Sequence, residues 1–234
     1  MNIPDKQLTE HFELFELVLA SSIHDMKNSL AALLNQVDRL SAETPEASKQ
    51  DSARTVRKIK RQGNALHYKM LQLLTLYRLQ QQHYCLTVDE YTVVELLQEA
   101  VEVSLIEQAE SNMIFDIECA EDLTGYFDYE LIGAMLQNAI GNAIRYSKGH
   151  ILLSACKNRQ GVLTINVRDD GPGYSKQFLD SARAGLSFNS GNTGLGLYFC
   201  AQVAAMHGNH IHTGSVMMDN TGINGGACFT LLLP

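Results

Sequence analysis

The 234-residue chain has no CxxC pair, and its five cysteines (Cys85, Cys119, Cys156, Cys200 and Cys228) are odd in number and widely scattered. That distribution argues against a disulfide framework or a thiolate zinc site and suits small core residues in a reducing cytosol. An excess of positive charge is also absent. Eighteen basic against 26 acidic residues leave a net charge of −8, which removes the broad cationic footprint needed for nucleic acid or an anionic lipid surface. Every apolar run is broken by charge or polarity well short of membrane-spanning length, and the opening MNIPDKQLTE has no basic stretch ahead of an apolar one. The expectation is a cytoplasmic chain without a transmembrane segment or leader. What is present is ample core material, 45% hydrophobic residues, in a length that suits one large domain or two small ones.

Leu8, Phe12, Phe15, Leu19, Ile23, Met26, Leu30, Leu33, Val37 and Leu40 step by fours and threes, as one long helix burying a single stripe must. Two successive steps of four at Phe15, Leu19 and Ile23 shift the seam, as a stutter does, just before His24. The segment SAETPEASKQ (41–50) carries Pro45 and small polar residues, a break and restart. A second stripe follows through Val56, Ile59, Gly63, Leu66, Met70, Leu73 and Tyr77, predicting a second helix folded back on the first. Two amphipathic helices cannot close a core alone. Pairing two hairpins into a four-helix bundle buries both stripes and predicts a homodimer; packing against the rest of the chain is the alternative.

After QQQHY (80–84) the texture changes to short strands alternating with helices, which sets domains at 1–83 and 84–234. Helices are expected at 92–108, 128–146 and 194–207, and strands at 113–119, 151–157, 162–168, 210–217 and 227–233. The expected fold is α+β: the helical hairpin, then an α/β sandwich with helices on one face of a mixed, mostly antiparallel sheet.

VRDDGPGY (167–174) runs from a strand into a glycine-rich turn with two carboxylates, and GNTGLGL (191–197) opens a helix whose exposed N–H groups suit phosphate. No Gly-Lys-Ser or Gly-Lys-Thr follows, and the glycines do not open an early βαβ unit, so neither a P-loop nor a dinucleotide fingerprint is present. Asn138 and Asn142 are four apart on one helix face, with Arg145 three further on; their amide carbonyls are hard oxygen donors suited to Mg2+. Local backbone capping by the amide pair is the plainer alternative. His207, His210 and His212 have no carboxylate or thiolate partner in the pattern and are read as structural.

In order, SSIHDMKNSL (21–30), LQNAIGNAIRYS (136–147), DDGPG (169–173), GNTGLGL (191–197) and GGACFTLLLP (225–234) resemble the H-box, N-box and glycine boxes of sensor histidine kinases, from about Leu8 to Pro234. The resemblance implies ATP and Mg2+, with His24 as phosphoacceptor and Asn138 and Asn142 as metal and phosphate contacts. It makes Asp169 the acceptor for the adenine amino group, puts Gly171 and Gly173 in the turn beneath it, and has Gly194 and Gly196 admit the phosphates. Arg145 and Tyr146 stand where the family has a basic residue and an aromatic one near the phosphates and adenine. ATP-hydrolysing members of the wider superfamily carry a glutamate where Asn138 stands; asparagine is no comparable base, so the site is expected to serve an external nucleophile. Neutral imidazole is a competent nucleophile near pH 7, Asp25 would accept its other proton, and Asn28 shares the His24 face. The Asp25-x-x-Asn28 pattern resembles the H-box variant of kinases that also dephosphorylate their response regulator.

The resemblance thus implies a homodimeric, ATP-dependent protein-histidine kinase passing phosphoryl from His24 to a regulator aspartate, with a separate sensory partner. Its rival is a phosphotransfer protein whose ATP-binding domain is degenerate. The chain departs from the family in a short stretch between Gly173 and Gly191, with no Phe-containing box beyond Phe178 and Phe188, and in lacking a proline after His24.

Overall fold

A computed structural model describes residues 26, 28, 30, 31, 34, 35, 37, 49–80, 85–107, 113–183, 194–208 and 212–234. The chain divides into two compact units, Met1–Tyr84 and Cys85–Pro234. In the first, Met26, Asn28, Leu30, Ala31, Leu34, Asn35 and Val37 are helical, and α1 runs over Lys49–Gln80. Leu73 and Leu76 of α1 are buried, but Val56, Met70, Leu74 and Tyr77 are exposed, as are Leu30, Leu34 and Val37.

The second unit runs β1 (Val88–Thr92), α2 (Val93–Glu107), β2 (Ile114–Glu118), β3 (Thr124–Asp128), α3 (Tyr129–Tyr146), β4 (His150–Lys157) and β5 (Leu163–Asp169). It continues with α4 (Lys176–Arg183), α5 (Gly194–Met206), β6 (Ser215–Asp219) and β7 (Cys228–Leu233). The main sheet has the order β2-β4-β5-β7-β6, with β2 and β4 parallel and the other neighbours antiparallel. A parallel pair needs a long crossover, and here β3 and α3 supply it. This is the expected mixed sheet with helices. Two strands went unforeseen, β1 and β3, which pair with each other antiparallel. VDEYT carries adjacent carboxylates and lies mostly exposed, so it shows no alternation to read. Of the strand expected over 210–217, residues 210 and 211 lie outside the described residues and β6 begins at Ser215: Gly214 donates to the His207 carbonyl at 2.8 Å and packs so closely that a Cβ there would sit 2.3 Å from the Ala204 carbonyl.

Helix α3 positions the site, and its sequence explains its path. Asp128 caps it: Oδ1 accepts from the Leu131 N–H at 3.1 Å, while Oδ2 accepts from the Thr87 N–H at 3.0 Å. Leu131, Ile132, Met135, Leu136, Ile140 and the intervening alanines are buried, each large side chain contributing about 1.5–3 kcal/mol by burial. Truncating Ile140 to alanine would cost about 2–5 kcal/mol. The small residues Ala139 and Ala143 lie on the flank carrying Asn142, leaving room beside it. His207, just past α5, braces the cap: the Asp128 N–H donates to its Nε2 at 3.0 Å and its Nδ1–H donates to the Val203 carbonyl at 2.8 Å. An N–H can only donate and a carbonyl only accept, so the ring is the neutral tautomer with both nitrogens engaged. Burial pushes its pKa down, against the opposing pull of Val203 and Asp128.

Candidate functional site

A cavity of about 290 Å3 opens between α3 and the segment that leaves β5. Among the described residues, Asn142, Ala143 and Tyr146 line it from α3, Val167 and Asp169 from β5, Phe229 from β7, and Tyr174 and Phe178 from the far side. The strand alternation accounts for Asp169. Val167 and Asp169 face the helices on alternate positions, so the last strand residue delivers a carboxylate into a mostly apolar pocket.

Asp169 is buried, and one of its two oxygens is committed to the protein. Oδ1 accepts from the Gly171 N–H at 2.8 Å and the Ala227 N–H at 3.2 Å. These bonds leave Oδ2 for a ligand. Gly171 must be small, because a Cβ there would sit 2.5 Å from the Tyr146 carbonyl and 2.8 Å from Asp169 Oδ1. Gly173 has a φ of 75°, the left-handed region that glycine adopts at little cost. The adjacent Asp170 points elsewhere: its Oδ1 accepts from the N–H groups of Lys148, Gly149 and His150 at 2.8, 3.2 and 3.2 Å. Desolvation opposes its ionisation, yet these backbone donors hold its carboxyl below the usual range. It ties the end of α3 and the start of β4 to the turn.

The two asparagines differ in environment. Asn142 faces the cavity, whereas Asn138, one turn earlier, donates through Nδ2 to Cys200 Sγ at 3.4 Å. Burial pushes the Cys200 thiol up to about 12, with the hydrogen bond from Asn138 working the other way, so the sulfur meets the amide as a neutral thiol. Gly196 closes this contact from α5, where a Cβ would sit 2.3 Å from Asn138 Oδ1. Its missing side chain therefore makes room for an asparagine. The donor set suits Mg2+, with amide oxygens as hard ligands and Asn142 open to the cavity.

Gly194 starts α5, Tyr146 stands half-exposed on the cavity rim, and Arg145 is exposed and outside the lining. Asn28 is an exposed helical residue, while His24, Asp25 and Phe188 lie outside the described residues. Part of the stretch after Gly173 is the helix α4, begun by Ser175, whose Oγ accepts from the Phe178 N–H at 3.2 Å. Tyr174 and Phe178 stack at 5.0 Å and 18° against the cavity. Sequence reasoning passed over Tyr174, Asp170 and Cys200, although the aromatic directly after DDGPG was a usable signal.

Residues 127–234 match the family model of histidine kinase-, DNA gyrase B- and HSP90-like ATPases. This match and the curated relatives support the sensor histidine kinase family for this chain. Over 245 residues it is 26% identical to the adaptive-response sensory kinase SasA of Crocosphaera subtropica, an alignment covering 98% of this chain and 62% of that protein. It thus spans about three-fifths of that relative's length. The solved histidine kinase AdeS of Acinetobacter baumannii shares the fold at a TM-score of 0.63 and 18% identity, covering 90% of this chain and 96% of that one. The histidine kinase ThkA, solved in complex with the response regulator TrrA, does so at 0.59 and 19%, covering 98% and 64%. Asn142, Asp169 and the aromatic wall all fall within the ATPase-like segment. Among the described residues no helix is long and apolar enough to cross a membrane.

Proposed function

We propose that the chain is a cytoplasmic, ATP-dependent protein-histidine kinase of a two-component system, with residues 1–83 as dimerisation and phosphotransfer domain and 84–234 as ATP-binding domain. The observation that carries this is the buried Asp169, whose Oδ2 is left available in a cavity of about 290 Å3 that Asn142 also lines. A carboxylate oxygen fixed in an apolar pocket accepts from the exocyclic amino group of adenine and rejects a base that presents a carbonyl there. Asn142 and Asn138 would supply amide oxygens to Mg2+, which neutralises phosphate charge when bound. Gly194 and Gly196 would let the phosphates approach the α5 N-terminus, with Tyr146 at the rim and Arg145 next to it in the chain, outside the lining.

Phosphoryl transfer needs mainly positioning and charge neutralisation. The free imidazole nitrogen of His24 would form a bond to the γ-phosphorus as the bond to the bridging oxygen breaks and ADP leaves. Asp25 would hold the other ring proton. The phosphoryl group would then pass to a response regulator aspartate, a partner class supported by the ThkA–TrrA complex. Asn28 would orient the water that attacks the regulator's phosphoaspartate, releasing inorganic phosphate and the free carboxylate. The exposed apolar residues Leu30, Val37, Val56, Met70 and Tyr77 support a homodimer through this unit.

The test is incubation with γ-labelled ATP and Mg2+. Acid-labile, base-stable label on the wild-type chain is expected; label that survives acid, or none at all, overturns the reading.

A further inference from the structure

The turn that wraps the cavity, from Asp169 to Tyr174, is held at both ends by one distant loop, residues 220–227 between β6 and β7. At the first end Asp169 and Ala227 bond reciprocally: the Asp169 N–H donates to the Ala227 carbonyl at 3.0 Å and the Ala227 N–H to Asp169 Oδ1 at 3.2 Å. At the second end the Asn220 side chain acts like a peptide unit. Its Oδ1 accepts from the Tyr174 N–H at 2.7 Å and its Nδ2 donates to the Tyr174 carbonyl at 3.0 Å. The same carboxamide lies over Gly173, where a Cβ would come within 2.8 Å of Asn220 Cγ. Asn220 is itself held in place, because Asp219 pairs with Cys228 in the sheet and accepts from the Thr221 N–H at 2.7 Å through Oδ1.

We propose that Asn220 is a positioning residue for the adenine end of the cavity, acting through the main chain of Tyr174. The inference rests on the ATP reading of that cavity. Tyr174 stacks on Phe178, and both rings line the cavity that contains Asp169. Fixing the Tyr174 main chain on both its N–H and its carbonyl fixes where its Cβ points and so where the aromatic wall stands relative to the carboxylate. Only a carboxamide of this length does both. Aspartate accepts but would set a second acceptor against the Tyr174 carbonyl, and serine is too short to span the two groups. Asn220 is exposed, so core packing does not account for the choice.

The experiment measures ADP binding with and without Mg2+ in the full chain, for wild type, Asn220→Ala, Asn220→Ser, Phe178→Leu and the Asn220→Ala/Phe178→Leu double variant. Asn220→Ala should raise the ADP Kd about tenfold, the scale of a lost positioning contact, with the serine variant in between. The ratio of the Kd values with and without Mg2+ should stay at the wild-type value, since the metal end is untouched. Because Asn220 acts through the aromatic wall, the double variant should lose clearly less than the product of the two single losses. Unchanged ADP affinity in folded Asn220→Ala, or multiplicative losses, overturns the proposal while leaving the ATP reading in place. A changed Mg2+ ratio marks general loosening and overturns it too. If Asn220→Ala does not fold, wild-type affinity in Asn220→Ser decides against it. Wild-type protein that binds no ADP removes the ATP reading, and this inference with it.

Discussion

In the C-terminal unit Ile140, Phe199 and Leu231 are 0% exposed, whereas on the N-terminal helices Met70 is 57% and Tyr77 52% exposed. A sheet with helices packed on it closes a core within one chain. A helical stripe is a strip of apolar surface with nothing of its own to face, and it is completed only by more helices. The contrast teaches that one unit closes a core with its own residues while the other leaves apolar side chains exposed, which is what the proposed dimer would cover. On the proposed reading it also separates the chemistry, with the nucleotide site in the closed unit and the phosphoacceptor in the open one.

The sharpest way to break that separation is His24→Ala, which should abolish acid-labile phosphorylation and leave the ADP Kd unchanged. A large drop in ADP affinity would show that the two regions are not independent. Asp169→Ala probes the other side: with the adenine amino group unpaired in a closed pocket, ATP binding should weaken by about 1–3 kcal/mol. Isothermal titration checks it, and wild-type affinity would cancel the adenine assignment. Met70→Glu tests the open stripe, since a charge placed in an apolar seam opposes association. Sedimentation should show two chains in wild type and a shift toward one in the variant, with nucleotide affinity retained. A monomeric wild type would end the four-helix-bundle model.

The smallest effect belongs to His207, which folding holds neutral. Its pKa is depressed in the fold, so its contribution to stability is complete above the unfolded value of about 6.5 and is lost as pH falls through the folded value. The wild-type melting temperature should therefore fall between about pH 7 and pH 5 more steeply than that of His207→Gln. Parallel curves would mean that the ring does not titrate with folding.

How much could be read in advance follows from the range of each interaction. The helical period placed Asn138 and Asn142 on one face, and the strand running into DDGPG ended on a carboxylate, as Asp169 does. Nothing local announced that Tyr174 is held by a residue 46 positions away, or that Asp128 is braced by one 79 positions away. Strand β1 escaped for a related reason. Its first three residues are exposed and two of them acidic, and only pairing with β3 makes VDEYT a strand.

By itself the sequence determined what periodicity and residue chemistry decide over a few turns: two amphipathic helices, a mixed sheet with helices, glycines where turns are tight, and an asparagine where a hydrolase would need a base. Only the tertiary structure decided which of those residues meet. It gave Asn142 the cavity and turned Asn138 toward Cys200, made Gly196 small for the sake of an amide, and set Asn220 against Tyr174. Those outcomes depend on how β5, β6 and β7 stack beside α3 and α5, and contacts at that sequence separation are fixed by packing, which no local window contains.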